Sequence, residues 1–217
     1  MSLKDVALLP SKNYNFYAGI DPGFRGAVGV INAAGTTVKV WDMPMTTADK
    51  DRQKEIDLDG LREVFQELRL RPDLVLGVEW PSTRPGEGAE RSERFGRGKG
   101  YLHAYAHLLG LDYYLLVPNL WKGRLGLPGK TDPEANAKAA RLFDTYYPDH
   151  TNLIRGPRGG IRDGRADALL IAHFLRARST AGMRGVVERF GKDSDEAWAL
   201  AFGSGRRRRG GNPGLQI

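Results

Sequence analysis

Residues 15–31 read Asn15-Phe16-Tyr17-Ala18-Gly19-Ile20-Asp21-Pro22-Gly23-Phe24-Arg25-Gly26-Ala27-Val28-Gly29-Val30-Ile31. Two apolar runs of strand length flank a Pro-Gly turn, the pattern of consecutive strands. The first run closes on a carboxylate, Asp21, and Leu74-Val75-Leu76-Gly77-Val78 closes in the same way on Glu79. A third acid, Asp167, lies inside Ala166-Asp167-Ala168-Leu169-Leu170-Ile171-Ala172, a run that would otherwise make a buried helix. A carboxylate beside an apolar run is costly to bury unless it is paired or holds a metal. With Asp163, these residues form a set of oxygen-only ligands gathered from strand ends and one helix, as a Mg²⁺ site needs. The pattern points to metal-dependent phosphoryl chemistry.

The rest of the chain supplies a frame for those acids. A strand from Thr36 to Trp41, after the Ala34-Gly35 turn, completes an antiparallel meander. Leu61, Val64, Phe65 and Leu68 have helical spacing, with Asp57 or Asp59 as N-cap. Residues 74–79 read as a buried strand and 81–95, rich in Pro, Gly and charge, as a long exposed loop. A helix over Gly100–Leu111, a strand over Tyr113–Val117 and a polar loop over Pro118–Lys130, interrupted by Trp121, follow. Thr131-Asp132-Pro133-Glu134 combines an N-cap, a first-turn proline and a capping-box Glu, and opens the next helix. An Arg/Gly loop over 151–162 precedes the last clear helix, Asp163–Arg178. This order predicts an α/β protein with a mixed five-stranded sheet and helices on both faces. Neighbouring strand ends would bring Asp21 and Glu79 together, and Asp163 and Asp167 share a helix face at i, i+4.

At 217 residues the chain fits one substantial domain, expected over 15–180, with a loose leader at 1–14. Residues 181–217 are expected to be a basic, partly disordered tail with one short helix around Glu196–Phe202. No apolar run reaches the ~18 residues of a membrane span, and the N-terminus lacks a basic-then-apolar signal, so a cytoplasmic location is expected. Cysteine is absent, which excludes disulfides and thiolate metal sites. Residues 1–150 carry 20 basic and 20 acidic residues, whereas residues 151–217 carry 13 basic against 6 acidic. That asymmetry points to a polyanion partner; its plain alternative is a solvated tail kept for solubility.

The motifs taken together resemble those of RuvC-type Holliday junction resolvases in their phage-encoded form. Gly19-Ile20-Asp21-Pro22-Gly23 with Gly26-Ala27-Val28-Gly29-Val30 is similar to the first motif, and Val78-Glu79 to the second. Phe95-Gly96-Arg97-Gly98-Lys99-Gly100 resembles the glycine-rich entry to the central helix. Pro118-Asn119-Leu120-Trp121-Lys122 and Gly126-Leu127-Pro128-Gly129-Lys130 resemble the basic loop, and Asp163-Gly164-Arg165-Ala166-Asp167-Ala168-Leu169 the last acidic motif. The match runs in order over residues 15–178. It implies an RNase H-like fold, a homodimer and catalytic metal ligands Asp21, Glu79, Asp163 and Asp167 holding two Mg²⁺ ions, with Mn²⁺ substituting. It also implies paired symmetric nicks in four-way or branched DNA, as in recombination and repair, within a bacterial cell or phage-infected host. Two metals ~4 Å apart activate the attacking water and stabilise the leaving oxygen of an in-line displacement. One departure stands out. Many family members place the penultimate ligand three residues before the last Asp; here that position is Gly164, and Asp163 lies four before. Asp163 is assigned to the site, its alternative being a helix N-cap.

The DNA-binding candidates are Phe95, Arg97, Lys99, Lys122, Arg124, Lys130, Arg158 and Arg162. Phe95 and Trp80 can stack on bases or pack beneath a loop, and Trp121 would anchor the basic loop. Gly96, Gly98 and Gly100 are not spaced as a P-loop. His103 and His107, at i, i+4, lack a third zinc ligand and read as packing or interface residues. Ala104, Ala106, Leu108 and Leu109 are candidates for the dimer interface. Three other readings compete: a different RNase H-superfamily nuclease acting on RNA–DNA hybrids or branched DNA, a catalytically inactive junction-binding module, for which nothing in the acidic set speaks, and an ATP-binding actin or sugar-kinase fold. The last needs two such domains and a second glycine-rich phosphate motif.

Overall fold

A computed structural model describes residues 14–36, 38–46, 55–81, 88–128 and 134–178. Its strands are β1 Phe16–Asp21, β2 Ala27–Asn32, β3 Val38–Asp42, β4 Leu74–Glu79 and β5 Asp112–Leu116. Its helices are α1 Leu58–Arg69, α2 Ala89–Leu108, α3 Pro118–Arg124, α4 Ala135–Tyr146 and α5 Asp163–Ala177, with a 3₁₀ stretch at Pro148–Ile154. The five strands form one mixed sheet ordered β3-β2-β1-β4-β5. The meander pairs are antiparallel, and β1–β4 and β4–β5 are parallel. The expected mixed five-stranded architecture is borne out.

Strand alternation divides the core in two. Ala18, Ile20, Val28, Leu76 and Val78 pack toward α1 and α2, burying Leu61, Val64, Phe65 and Leu68. Asp57 is the N-cap of α1, accepting a hydrogen bond from the Asp59 amide at 3.1 Å. Tyr17, Ile31 and Val75 pack on the other face with Trp121, Phe143 and the buried side of α5. No helix among the described residues is long and apolar enough to cross a membrane.

One feature of the α5 face sets the depth of the site. The register aligns Gly29, Gly19 and Gly77 in a row across β2, β1 and β4. A methyl on Gly19 would lie 2.1 Å from the Ala168 carbonyl oxygen and 2.6 Å from the Ala172 nitrogen, both on α5. On Gly29 it would meet Leu169, and on Gly77 Leu116 and Ile171. The glycine row is a trough in which α5 rests directly on sheet backbone, closer than side chains would allow.

Parts of two loops expected from the sequence are helical. Helix α2 begins at Ala89, so its glycines lie inside it rather than before it. Gly98 faces Ile56, where a methyl would approach Cδ1 to 2.9 Å. Close packing there outweighs the ~1 kcal/mol that a helical glycine costs. Helix α3 replaces the loop after Pro118 because burial of Leu120 and Trp121 rewards an amphipathic turn. Tyr14, at the edge of the expected leader, is buried and donates to Asp112 at 3.1 Å. Ala106 is fully buried in the core, so it is not available to a dimer partner, whereas Leu108 is exposed. Thr131 to Pro133, the other leader residues and the basic tail lie outside the described residues.

Candidate active site

Parity and register together deliver the acids. Tyr17, Gly19 and Asp21 share one face of β1, and Val75, Gly77 and Glu79 share one face of β4. The parallel register sets Tyr17 beside Val75 and Gly19 beside Gly77, so Asp21 and Glu79 emerge side by side beneath α5. Helix α5 adds Asp163 and Asp167 from its first two turns. All four line one open cleft of about 380 Å³, together with Gly23, Arg25, Gly26, Lys122, Ala135, Asn136 and Gly164.

Each acid is held differently. The Gly23 amide donates to Asp21 Oδ1 at 3.0 Å, closing the turn after β1. Glu79 is only 3% exposed, and its Oε1 accepts from the indole Nε1 of Trp121 at 3.1 Å. Asp167 Oδ2 accepts from Lys122 Nζ at 2.7 Å. Asp163 Oδ2 accepts from Asn136 Nδ2 at 3.1 Å. The N-cap position of α5 belongs to Arg162 and makes no side-chain cap bond. Asp163 is therefore a first-turn residue aimed at the cleft, and the cap alternative is set aside.

Burial, then the charges of Asp21 and Asp167, push the Glu79 carboxyl up to about 7, although Lys122 and the Trp121 bond pull it back. Lys122 responds in the opposite sense. Burial would lower its pKa, but Asp167, Glu79 and Asp21 outweigh that and raise it. The acids thus repel one another, and the partly buried Lys122 ammonium supplies counter-charge to them.

This donor set suits a hard divalent cation: it is oxygen-only, partly buried, open to solvent and short of positive charge. Among the described residues, however, no three His, Asp or Glu side chains converge on a common point. Lys122 instead occupies the cationic position against Asp167. The donor chemistry fits a divalent ion, and Lys122 engages one of the two Asp167 oxygens, Oδ2.

The structure also gives the spacing departure a steric cause. A methyl on Gly164 would lie 2.1 Å from the Arg25 carbonyl oxygen and 2.7 Å from Gly26 Cα. No side chain fits at position 164, and the carboxylate that reaches the cleft from this turn is Asp163. The N-terminus of α5 is pinned further by Asp42 at the end of β3, which pairs with Arg165 at 2.6 Å and Arg162 at 3.0 Å.

The DNA-binding candidates separate by environment. Lys99 points inward, donating to the Pro81 carbonyl at 3.0 Å, with its ammonium 4.6 Å from the Trp80 ring and 5.2 Å from Phe95. Burial lowers its pKa. Lys99 and Phe95 thus meet each other, tying α2 to the end of β4. Arg97 is exposed and paired with Glu55 at 2.8 Å, and Arg162 is exposed and paired with Asp42. Arg124 and Arg158 are exposed, on α3 and in the loop before α5. Burial and the charge of Arg124 bring Arg178 down to about 10. Lys122 lies in the acidic cleft itself, and Lys130 lies outside the described residues. His103 packs as expected, its Nε2 2.7 Å from the Tyr113 hydroxyl. Sequence reasoning missed Asn136, which carries no motif signal, and read Trp121 as a loop anchor without the Glu79 contact.

No protein-family model and no curated protein matches the sequence. Solved structures do match. The complex titled T. thermophilus RuvC with Holliday junction substrate aligns at 20% identity, covering 77% of this chain and 97% of that one, with a TM-score of 0.50. The fold is RNase H-like, as in RuvC. A second Thermus thermophilus RuvC structure aligns at 20% identity over 76% of this chain and 98% of its own, with a TM-score of 0.49.

Proposed function

We propose that the chain is a divalent-metal-dependent endonuclease that resolves four-way DNA junctions by paired symmetric nicks. The observation that carries this reading is that Asp21, Glu79, Asp163 and Asp167 line one cleft, where burial and the neighbouring acids push the Glu79 carboxyl up to about 7. Those four would hold Mg²⁺ or Mn²⁺. Such ions supply activation of the attacking water and stabilisation of the leaving oxygen. Trp121 orients Glu79, Asn136 orients Asp163, and Lys122 neutralises Asp167 until the site is loaded. Arg97, Arg124, Arg158 and Arg162, and Lys130 outside the described residues, are proposed as phosphate contacts, which set position rather than sequence. A four-way junction offers two equivalent strands, so paired nicks call for a two-fold homodimer.

The test is nicking of a synthetic four-way junction in Mg²⁺, beside linear duplex and an RNA–DNA hybrid. Symmetric nicks on the junction support the proposal; hybrid cleavage alone transfers the chain to another RNase H-like activity. ATP binding with no junction binding would favour the kinase-like reading.

Proton and cation compete for Glu79. Because its folded pKa is raised, it is protonated below about 7, and that proton must leave before the carboxylate can serve as a ligand. At limiting Mg²⁺, nicking is expected to rise between about pH 6 and 8, and higher Mg²⁺ should move the rise to lower pH. A pH profile independent of Mg²⁺ would remove Glu79 from the metal site.

Gly164→Ala should leave the protein folded but spread the N-terminus of α5 from the β1–β2 turn. A displacement near 1 Å is enough to cost about 100-fold in rate. Single-turnover nicking, with circular dichroism to verify folding, measures this; a rate within threefold of wild type would contradict it.

A further inference from the structure

Resting on the nuclease reading above, we infer that Arg25 grips a backbone phosphate of the strand lying in the cleft, and so positions that strand over the acids. Four carboxylates line this cleft, and a phosphodiester entering it meets net repulsion unless a cation receives it. Two of the residues that line it are cationic, Arg25 and Lys122. Lys122 is committed to Asp167 at 2.7 Å. Arg25 is exposed, and among the described residues no hydrogen bond or ion pair engages its guanidinium.

Its backbone, by contrast, is held tightly. Gly26 N donates to the Gly23 carbonyl at 2.7 Å, and a methyl on Gly26 would meet the Asp21 carbonyl oxygen at 2.0 Å. On the other side the Arg25 carbonyl is in contact with Gly164, which excludes any side chain there. Arg25 therefore sits on a turn wedged between the strand end that carries Asp21 and the helix turn that carries Asp163. A long charged side chain on a rigid root beside the acids suits a phosphate, for which the planar guanidinium offers paired donors. The sequence drew no attention to it, because one arginine in a Pro-Gly turn resembles a solubilising residue.

The test uses the full-length chain and its Arg25→Ala and Arg25→Lys variants. Binding to a fluorescent four-way junction is measured without metal across a salt series, and nicking kinetics in Mg²⁺. Arg25→Ala should lower the slope of log affinity against log salt by about 0.9. It should raise KM about tenfold, as losing one charged hydrogen-bonding group does, with kcat changed less than threefold. Arg25→Lys should recover the salt slope, and melting temperatures should agree within 2 °C or so, the scale of a surface substitution. An Arg25→Ala protein with the wild-type slope and KM would overturn the proposal. So would a loss that accompanies a lowered melting temperature and is not recovered by Lys, which makes Arg25 structural. Wild-type protein that nicks no four-way DNA sinks the nuclease reading instead, and the metal-free salt slopes then still decide the role of Arg25.

Discussion

Asp21→Asn and Glu79→Gln are each expected to abolish junction nicking while leaving junction binding intact. Both acids stand at the ends of adjacent parallel strands and line the cleft, so on the nuclease reading removing either charge takes a ligand from the ion while every arginine proposed to grip the DNA, Arg25 included, is kept. The loss should reach several kcal/mol of transition-state stabilisation, on the order of the metal's whole contribution. The two variants part company in stability. Because the folded pKa of Glu79 is raised, its favourable contribution is fully present below about 4.5 and is lost as pH rises through about 7. A glutamine keeps the acceptor for Trp121 and carries no charge to repel Asp21 and Asp167. In chelator, Glu79→Gln should therefore melt above wild type at pH 8, with the difference shrinking toward pH 5. Wild-type nicking by either variant in Mg²⁺ would refute the site. A melting difference independent of pH would refute the crowding of Glu79.

Gly19→Ala is expected to yield little folded protein. The added methyl would fall 2.1 Å from the Ala168 carbonyl oxygen and 2.6 Å from the Ala172 amide, contacts with helix backbone that no rotamer change relieves. Helix α5 would have to lift off β1, opening the core along Leu169, Ile171 and Ala172. Overpacking usually costs 1–3 kcal/mol, and a clash with backbone on both partners lies beyond that range, comparable with the whole stability of a small domain. Thermal melts and soluble yield measure it; a folded variant melting within 5 °C or so of wild type, about 1 kcal/mol, would mean that the trough is not tight.

The acids were legible because a charge at the end of an apolar run breaks a pattern that hydrophobic burial otherwise explains. Asp21, Glu79 and Asp167 each stand at such a break, and the alternation around them predicted their strands and helix. The mixed sheet followed from element order, and the helical spacing of Leu61, Val64, Phe65 and Leu68 matched the buried side of α1. These are local signals, read within one element at a time.

Contacts between elements were not legible. Three glycines spaced far apart in the chain gain meaning only when the β2-β1-β4 register lines them up under α5. Gly164 looks like a lost ligand until the Arg25 carbonyl is seen against it. Lys99 and Phe95 read as DNA-facing residues, yet the Pro81 carbonyl and two aromatic rings hold the ammonium inward against the cost of its desolvation. Lys122 read as a phosphate contact, yet the field of three acids draws it into the cleft. Sequence alone determined which residues carry charge and which segments must be buried, because those depend on side-chain chemistry and period. Which charges face one another, and how closely the backbones approach, was decided by tertiary packing, because both depend on distances between elements remote in the chain.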